Sequence, residues 1–301
     1  MEEIKSGKNG TIKAIAATLL GFILLATVSV FIKLELSAGA SIEWVVFIQY
    51  LTGFVIIILI SSKNKFHGLK TTKIKFHLIR GITGVLAFSC FTIAVTEIPM
   101  VNAALLNNSA PIFIPLITLI WLKTKVDEKI WWGIFVGFIG IILILNPGAG
   151  GFLKSGDLIG LAAGIFLAIA YVSLGVLTKT ESFVTILFYY SLIAVVFSFP
   201  FAISNWSNPP LIIWVYGISS GVFFISYLYL LQFAYRFMPA VKLAPLNFSV
   251  VIFTGIFDWI IFGHVPGLIS LLGIVLVIAG GILAITLHEK NNKELKHHWH
   301  W

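Results

Sequence analysis

The sequence predicts an all-α membrane protein in which ten transmembrane helices form two inverted five-helix repeats around a central cavity. Three observations lead to this prediction: the composition, the spacing of the charged residues and an internal repeat. Apolar residues make up 59% of the 301-residue chain, and charged residues make up only 11%. Soluble domains carry about 25% charged residues. The composition therefore excludes a water-soluble enzyme and a disordered chain.

The intervals between charged residues match the length of a membrane-spanning helix. About 20 apolar residues are needed to cross the ~30 Å hydrocarbon layer. One charge-free stretch, 182–235, is long enough for two crossings, and the turn-forming cluster at 204–210 divides it. We number the ten predicted spans in chain order: 14–32, 44–62, 81–96, 98–122, 130–153, 158–178, two within 182–235, 240–262 and 267–287.

Lysine and arginine residues are distributed unevenly between the two sides of the membrane. With the N-terminus inside, seventeen of them, including Arg80, fall on the inner side. Lys33 and Lys154 fall outside, and Lys242 lies within a span. This positive-inside pattern predicts a multi-pass protein of the cell inner membrane with both termini in the cytoplasm. The net charge of +8 then reflects topology and anionic lipid, so no nucleic-acid partner is expected.

An internal repeat relates the two halves of the chain. A shift of 140 residues superimposes 99–143 on 239–283 without a gap, and pairs Asn107 with Asn247 and Ser109 with Ser249. A repeat of five spans, an odd number, forces the second copy to be inverted, which is a recurrent transporter design. The expected divisions are a cytoplasmic N-terminus at 1–13, a first repeat at 14–146, an outer linker at 147–156, a second repeat at 157–287 and a cytoplasmic tail at 288–301.

Several short motifs together resemble a known family. They are Arg80-Gly81 at span 3, Pro99 through Pro111 in span 4, Gly133 and Gly140 in span 5, Ala170-Tyr171 in span 6, Pro239–Ser249 in span 9, and Gly273 and Gly280 in span 10. With them, the chain resembles the drug/metabolite transporter superfamily, in its EamA-domain branch. The resemblance implies alternating-access transport through a cavity lined by spans 1, 3, 4, 6, 8 and 9. The family's Gly-Glu pair before spans 5 and 10 is replaced here by Lys123-Thr124 and Gly263-His264.

Polar residues inside the spans are the candidates for substrate contact, because such groups are costly in lipid and tend to face protein or water. Asn107 and Asn247 approach the midplane from opposite sides of the membrane. The alternative role for the Asn and Ser residues is hydrogen bonding between helices, and the alternative for Lys242 is snorkelling to the inner surface. The predicted substrate-binding residues are Asn102, Asn107, Asn108, Ser109, Tyr171, Tyr227, Gln232, Lys242, Asn247 and Ser249.

The predicted function is alternating-access transport of a small polar organic metabolite, such as an amino acid or an S-adenosylmethionine-like compound. Glu97 and Asp258 lie near the outer ends of their spans, where we expect them to meet headgroups or water. No acidic residue falls at mid-depth, which favours exchange or facilitated transport over a proton relay. The main alternative is an exporter of drugs or toxic metabolites, and a channel is less favoured. We expect no cofactor or metal, and a monomer or homodimer.

Two glycine patterns leave further alternatives open. Residues 217–221 match the G-x-S-x-G nucleophile pattern, which keeps an intramembrane hydrolase as a weaker hypothesis. Gly156, Gly160 and Gly164 form a ridge of small residues on span 6, and Gly133 and Gly137 repeat the spacing on span 5. Such ridges let backbones approach closely, either within one subunit or across a dimer.

Overall fold

In the computed structural model of the protein, the elements assigned in the described residues are helical. The helices are α1 (Lys8–Ser37), α2 (Ile42–Lys63), α3 (Ile74–Glu97), α4 (Met100–Asn107), α5 (Ala110–Leu122), α6 (Ser155–Leu177), α7 (Phe183–Ser204), α8 (Leu211–Tyr235) and α9 (Ser249–Phe262). The described residues are 8–63, 69–123, 132, 135–137, 139–140, 143, 155–177, 180–204, 206, 208–235, 237, 246–247, 249–264, 267–268, 271–276, 278–280 and 283.

Six of these helices, α1, α2, α3, α6, α7 and α8, are long and apolar enough to cross a membrane. The predicted span 4 is divided into α4 and α5, and the described part of span 9 is α9 with a short 3₁₀ turn at 246–247. Most of span 5 and part of span 10 lie outside the described residues. The structure therefore describes the greater part of the ten predicted spans and leaves their total number a prediction.

Contacts along α1, α8 and α2 fix the relative directions of these helices. Ala17 near the start of α1 packs with Ala234 near the end of α8, so the two helices are antiparallel. The ring of Trp44 in α2 contacts that of Trp214 in α8, 5.1 Å between centroids, and both residues lie near the start of their helices. Hence α2 runs parallel to α8 and opposite to α1. We call the side on which α1 begins the near side and the opposite side the far side.

The other helices follow from similar contacts. In α2 and α7 the rings of Phe47 and Phe199 are in contact, and so are those of Phe54 and Phe188, so these helices are antiparallel. Further contacts make α3 parallel to α7 (His77 with Tyr189 and Gly81 with Ile193) and antiparallel to α6 (Glu97 with Gly156 and Ala94 with Gly160). Thus α1, α2 and α3 run in directions opposite to those of α6, α7 and α8, their counterparts in the second half.

The helices of the two halves also pair in equivalent ways, as a two-fold relation between the halves requires. The pairing of α1 with α8 corresponds to that of α3 with α6, and the pairing of α2 with α8 corresponds to that of α3 with α7. The contact of α1 with α9 corresponds to that of α6 with α4 and α5, and α2 packs on α7 at the centre. The two halves therefore interlock, since the strongest contacts join helices of different halves.

The same serine–backbone hydrogen bond occurs at equivalent places in the two halves, before α5 and at the start of α9. Between α4 and α5, the Ser109 hydroxyl donates a 2.6 Å hydrogen bond to the Leu106 carbonyl. At the start of α9, the Ser249 hydroxyl donates a 2.7 Å hydrogen bond to the Leu246 carbonyl. These positions coincide under the 140-residue shift, so the repeat in the sequence corresponds to a repeated local structure. Ser and Thr hydroxyls that bond to the backbone in this way favour helix ends and bends.

The glycine ridge of α6 packs against α3, α4 and α5 of the same subunit. A Cβ atom at Gly156 would lie 2.6 Å from the Glu97 Cβ, and one at Gly164 would lie 2.5 Å from the Leu106 carbonyl oxygen. Both distances are shorter than a van der Waals contact, so only glycine allows this separation of the helices. The ridge on α6 therefore packs within one subunit, which is the first of the two roles that the sequence left open for it.

Candidate functional site

A cavity of about 100 Å³ lies between the two halves. This volume is enough for several water molecules. Its apolar wall includes Leu25, Val28, Phe88, Phe91 and Phe224. The polar residues that line it are Ser29, Tyr50, Arg80, Asn107, Asn108, Tyr171, Tyr190 and Tyr227. The lining thus comes from α1, α3, α4, α6, α8 and α9, as the family resemblance implies, and also from α2 and α7, which contribute Tyr50 and Tyr190.

Arg80 is the charged residue among the described lining residues, and it is only 5% exposed. Its Nη1 donates a 3.4 Å hydrogen bond to the Ala170 carbonyl in α6, and its guanidinium carbon lies 4.9 Å from the ring centroid of Tyr190 in α7. Within the described residues, its Nε–H has no hydrogen-bond partner. Arg80 therefore places a positive charge at the contact between helices of both halves.

The burial of Arg80 corrects the sequence analysis, which counted this residue among the basic residues of the inner surface. The predicted span began after Arg80, at residue 81, because that is where the charge-free stretch begins. The helix begins at Ile74, so Arg80 lies about 9 Å along it at ~1.5 Å per residue. A buried charge of this kind can be recognised in a sequence when the apolar stretch, here 24 residues, continues on both sides of the charged residue.

Four tyrosine side chains line the cavity together with Arg80 and interact with its charge. The Tyr50 hydroxyl lies 3.1 Å from the Tyr190 hydroxyl and donates to the Gly84 carbonyl at 3.3 Å. Tyr171 and Tyr227 are hydrogen-bonded to each other. The contact of Tyr50 with Tyr190 connects α2 with α7 and so joins the two halves, whereas the contact of Tyr171 with Tyr227 connects α6 with α8 within the second half. The cavity consequently has one cation, several hydroxyl groups and an aromatic wall, a combination that binds an organic molecule with a polar end.

Four of the ten predicted binding residues line the cavity: Asn107, Asn108, Tyr171 and Tyr227. The side-chain amide of Asn108 donates a 2.8 Å hydrogen bond to the Ala104 carbonyl, so it also stabilises the end of α4. Tyr227 is 5% exposed and its neighbour Tyr229 is 60% exposed. This confirms that only one of these two tyrosines points inward.

The remaining predicted residues have other positions. Asn102, Ser109, Asn247 and Ser249 are absent from the described lining of the cavity. Each serine hydroxyl is bonded to the backbone carbonyl three residues before it, and substrate contact by either serine stays a prediction. The side chain of Gln232 and all of Lys242 lie outside the described residues.

Asp258 is buried in protein and does not meet headgroups or water, which corrects the expectation for this residue. Its side chain is 0% exposed and its Oδ1 lies 2.9 Å from the Lys33 Nζ. The Val101 backbone N–H donates to Oδ2 at 3.2 Å, and the His264 Nδ1 lies 3.2 Å from Oδ1. We call Lys33, Val101, Asp258 and His264 the Asp258 cluster. It joins α1 and α4 of the first half to α9 of the second half at the far side.

The G-x-S-x-G sequence lies inside the continuous helix α8 rather than on the strand–turn–helix elbow that a serine nucleophile requires. A Cβ at Gly217 would lie 3.0 Å from the Trp44 ring, and one at Gly221 would lie 2.5 Å from the Thr52 Cβ. The Ser220 hydroxyl donates a 2.5 Å hydrogen bond to the Gln49 Oε1. The pattern therefore corresponds to the close packing of α8 on α2.

Comparison with known proteins identifies the fold and the family. The model of the EamA-like transporter family matches residues 12–146 and again residues 154–286. The chain belongs to the EamA-like transporter family. A solved crystal structure with 18% sequence identity superimposes with a TM-score of 0.62 over 95% of this chain and 99% of its own length. That likeness concerns the fold alone.

Curated relatives of this EamA-family chain are transporters. An S-adenosylmethionine uptake transporter of Rickettsia bellii is 25% identical over 230 residues, 74% of this chain and 76% of the relative. The pseudopaline exporter CntI of Pseudomonas aeruginosa is 23% identical over 276 residues, 91% of this chain and 95% of the relative. One of these relatives is named for uptake and the other for export. The comparisons therefore support transport across a membrane, and the named relatives differ in both substrate and direction.

Proposed function

We propose that this EamA-family protein is an alternating-access transporter of a small polar organic metabolite. The observation that carries the proposal is the cavity at the interface of two halves whose helices run in opposite directions. Binding between inverted halves lets one half rock against the other and open the same site to each side in turn. We further propose that the protein lies in the cell inner membrane with both termini in the cytoplasm, because the basic residues concentrate on the near side.

The Asp258 cluster is the part of this mechanism that closes the far side. It ties α1 and α4 to α9 through a buried ion pair and a backbone hydrogen bond. An opening to the far side separates these helices, so the Lys33–Asp258 contact breaks during each transport cycle. In the present conformation the Lys33–Asp258 contact is intact.

An amino acid or an S-adenosylmethionine-like compound fits the polar and aromatic lining of the cavity. Tyrosine and asparagine side chains offer hydrogen bonds to a polar end, and the rings of Phe88 and Phe91 offer an apolar surface. The named substrate of the Rickettsia relative belongs to this class. We propose exchange or facilitated movement, because Arg80 is the charged group in the described lining.

Transport by purified protein in proteoliposomes tests the proposal. The uptake of radiolabelled S-adenosylmethionine and of a panel of amino acids is measured. For a carrier, we expect the uptake rate to saturate with substrate concentration and preloaded vesicles to show counterflow. Asn107→Ala removes an amide from the cavity and is expected to lower transport at least tenfold. Asn208→Ala is the control, since it removes the same group at an exposed position outside the described lining. Flux that rises linearly without saturation or counterflow indicates a channel and refutes the proposal.

An exporter of toxic amphiphiles is the second candidate, and the aromatic part of the cavity wall is the observation that favours it. Phe88, Phe91 and Phe224 give the site an apolar surface that can contact the hydrophobic part of an amphiphile. The two candidates differ in their response to ligand charge and size. An exporter is indicated by two results together. Cells that overproduce the protein gain resistance to hydrophobic cations, and the purified protein shows no saturable metabolite exchange in proteoliposomes.

A further inference from the structure

We propose that Arg80 binds a carboxylate of the transported molecule, so that the site selects small metabolites with one carboxylate group. The inference rests on the proposed transport function and deepens it by assigning the chemical class of the substrate. Three features of the structure support this assignment: the charge balance at the buried Arg80, the donors that its side chain leaves free, and the apolar cavity wall beside it.

The charge of Arg80 has no partner of opposite sign within the described residues. The ion pairs in this part of the chain both involve Asp258, at the far end of α9. The described groups that interact with the guanidinium are tyrosine side chains, the Ala170 carbonyl and the His77 ring, and none of them is a carboxylate. A buried charge without a counter-ion is unfavourable. A bound anion supplies the missing partner, so the site is matched to a ligand that carries one.

The geometry of Arg80 leaves donors available for such a ligand. A guanidinium has five N–H groups. In Arg80 the Nη1 makes one long bond, 3.4 Å to the Ala170 carbonyl, and the Nε–H has no described partner. The guanidinium carbon also lies over the ring of Tyr190, 4.9 Å from its centroid, in a cation–π contact. Edge N–H groups in a fixed plane are the arrangement that binds a carboxylate with two parallel hydrogen bonds.

A single carboxylate fits this site better than a phosphate group. Arg80 supplies one positive charge, whereas a phosphate monoester carries nearly two negative charges at neutral pH. The wall next to the polar groups is apolar and includes Leu25, Val28, Phe88 and Phe91. Such a surface suits an aliphatic or aromatic portion of the ligand. The site therefore fits an amino acid or an amino-acid derivative with its carboxylate on Arg80.

Binding by purified protein in detergent tests this assignment. The probes are S-adenosylmethionine and the twenty common L-amino acids, and each compound that raises Tm is compared with its own carboxamide. The carboxamide keeps the shape and removes the charge, so we expect its Kd for the wild type to be at least tenfold higher. Arg80→Gln is expected to bind acid and amide within about twofold, and Arg80→Lys to keep part of the preference. Lys70→Gln, which removes an exposed charge, is expected to keep all of it.

Three results overturn the assignment: equal affinity of the wild type for acid and amide, no carboxylate in the panel that changes Tm, or an unchanged acid preference in Arg80→Gln. The comparison of acid with amide in the wild type needs no variant, so it holds even where Arg80→Gln fails to fold. Uptake of the same compounds separates the two proposals. Acid-selective binding without uptake contradicts transport and leaves the role of Arg80 intact, whereas equal uptake of acid and amide contradicts the role of Arg80 and leaves transport intact.

Discussion

Substitution of one glycine in α6 tests the packing between the two halves. Gly164→Ala places a Cβ 2.5 Å from the Leu106 carbonyl oxygen and 2.7 Å from the Ser109 hydroxyl. The first neighbour is backbone and the second is bonded to that same carbonyl, so neither moves freely. Overpacking of this kind costs about 1–3 kcal/mol. The better helix propensity of alanine returns up to about 1 kcal/mol, so with that full gain the expected net loss is about 0–2 kcal/mol.

Gly175→Ala is the matched control on the same helix, because a Cβ there meets nothing within 4 Å. It is expected to leave stability unchanged or raise it by up to about 1 kcal/mol. Thermal unfolding of both variants in detergent measures the difference. For a chain of this size 1 kcal/mol shifts Tm by about 2–4 °C, so Gly164→Ala should melt several degrees below Gly175→Ala. Equal Tm values would refute the close approach of α6 to the break between α4 and α5.

Two further substitutions test the Asp258 cluster and the cavity. Asp258→Asn removes the charge that pairs with Lys33 at 2.9 Å. Breaking a buried pair lowers the free energy of unfolding by about 3–5 kcal/mol. A Tm close to that of the wild type in detergent would contradict the buried contact. Gly84→Ala places a Cβ 2.5 Å from the Tyr190 ring in the cavity wall, so it is expected to lower substrate uptake more than Gly21→Ala, whose Cβ has only ordinary contacts of 3.5 Å. Equal uptake by these two variants would exclude Tyr190 from the site.

Most of the fold could be predicted from the sequence because a lipid environment leaves few choices. The lengths of the charge-free intervals gave the long helices, and the odd number of spans in the repeat required the second half to be inverted. The helix ends were less accurate: α3 begins at Ile74 rather than at residue 81, and α1 extends from Lys8 to Ser37 rather than over 14–32. A search for charge-free stretches ends at each charge, whereas a real helix continues when its charged side chains have protein or water around them.

The candidate site was predicted only in part, for a related reason. Asn107, Asn108, Tyr171 and Tyr227 were found because they are polar groups deep inside predicted spans. Arg80 was missed because a charge near a span end was read as a surface residue. The tyrosines at 50 and 190 and the pairing of Lys33 with Asp258 depend on contacts between α2 and α7 and between α1 and α9, which the sequence pattern did not determine.

The Asp258 cluster has one consequence for the balance between the two conformations that we propose for this transporter. Under the 140-residue shift the counterpart of Asp258 is Thr118, which cannot form an ion pair. The two halves are therefore unequal at the position where one of them carries a buried carboxylate. A ligand-free population is expected to favour the state with the far side shut, and the bound metabolite must supply the free energy that reverses this bias.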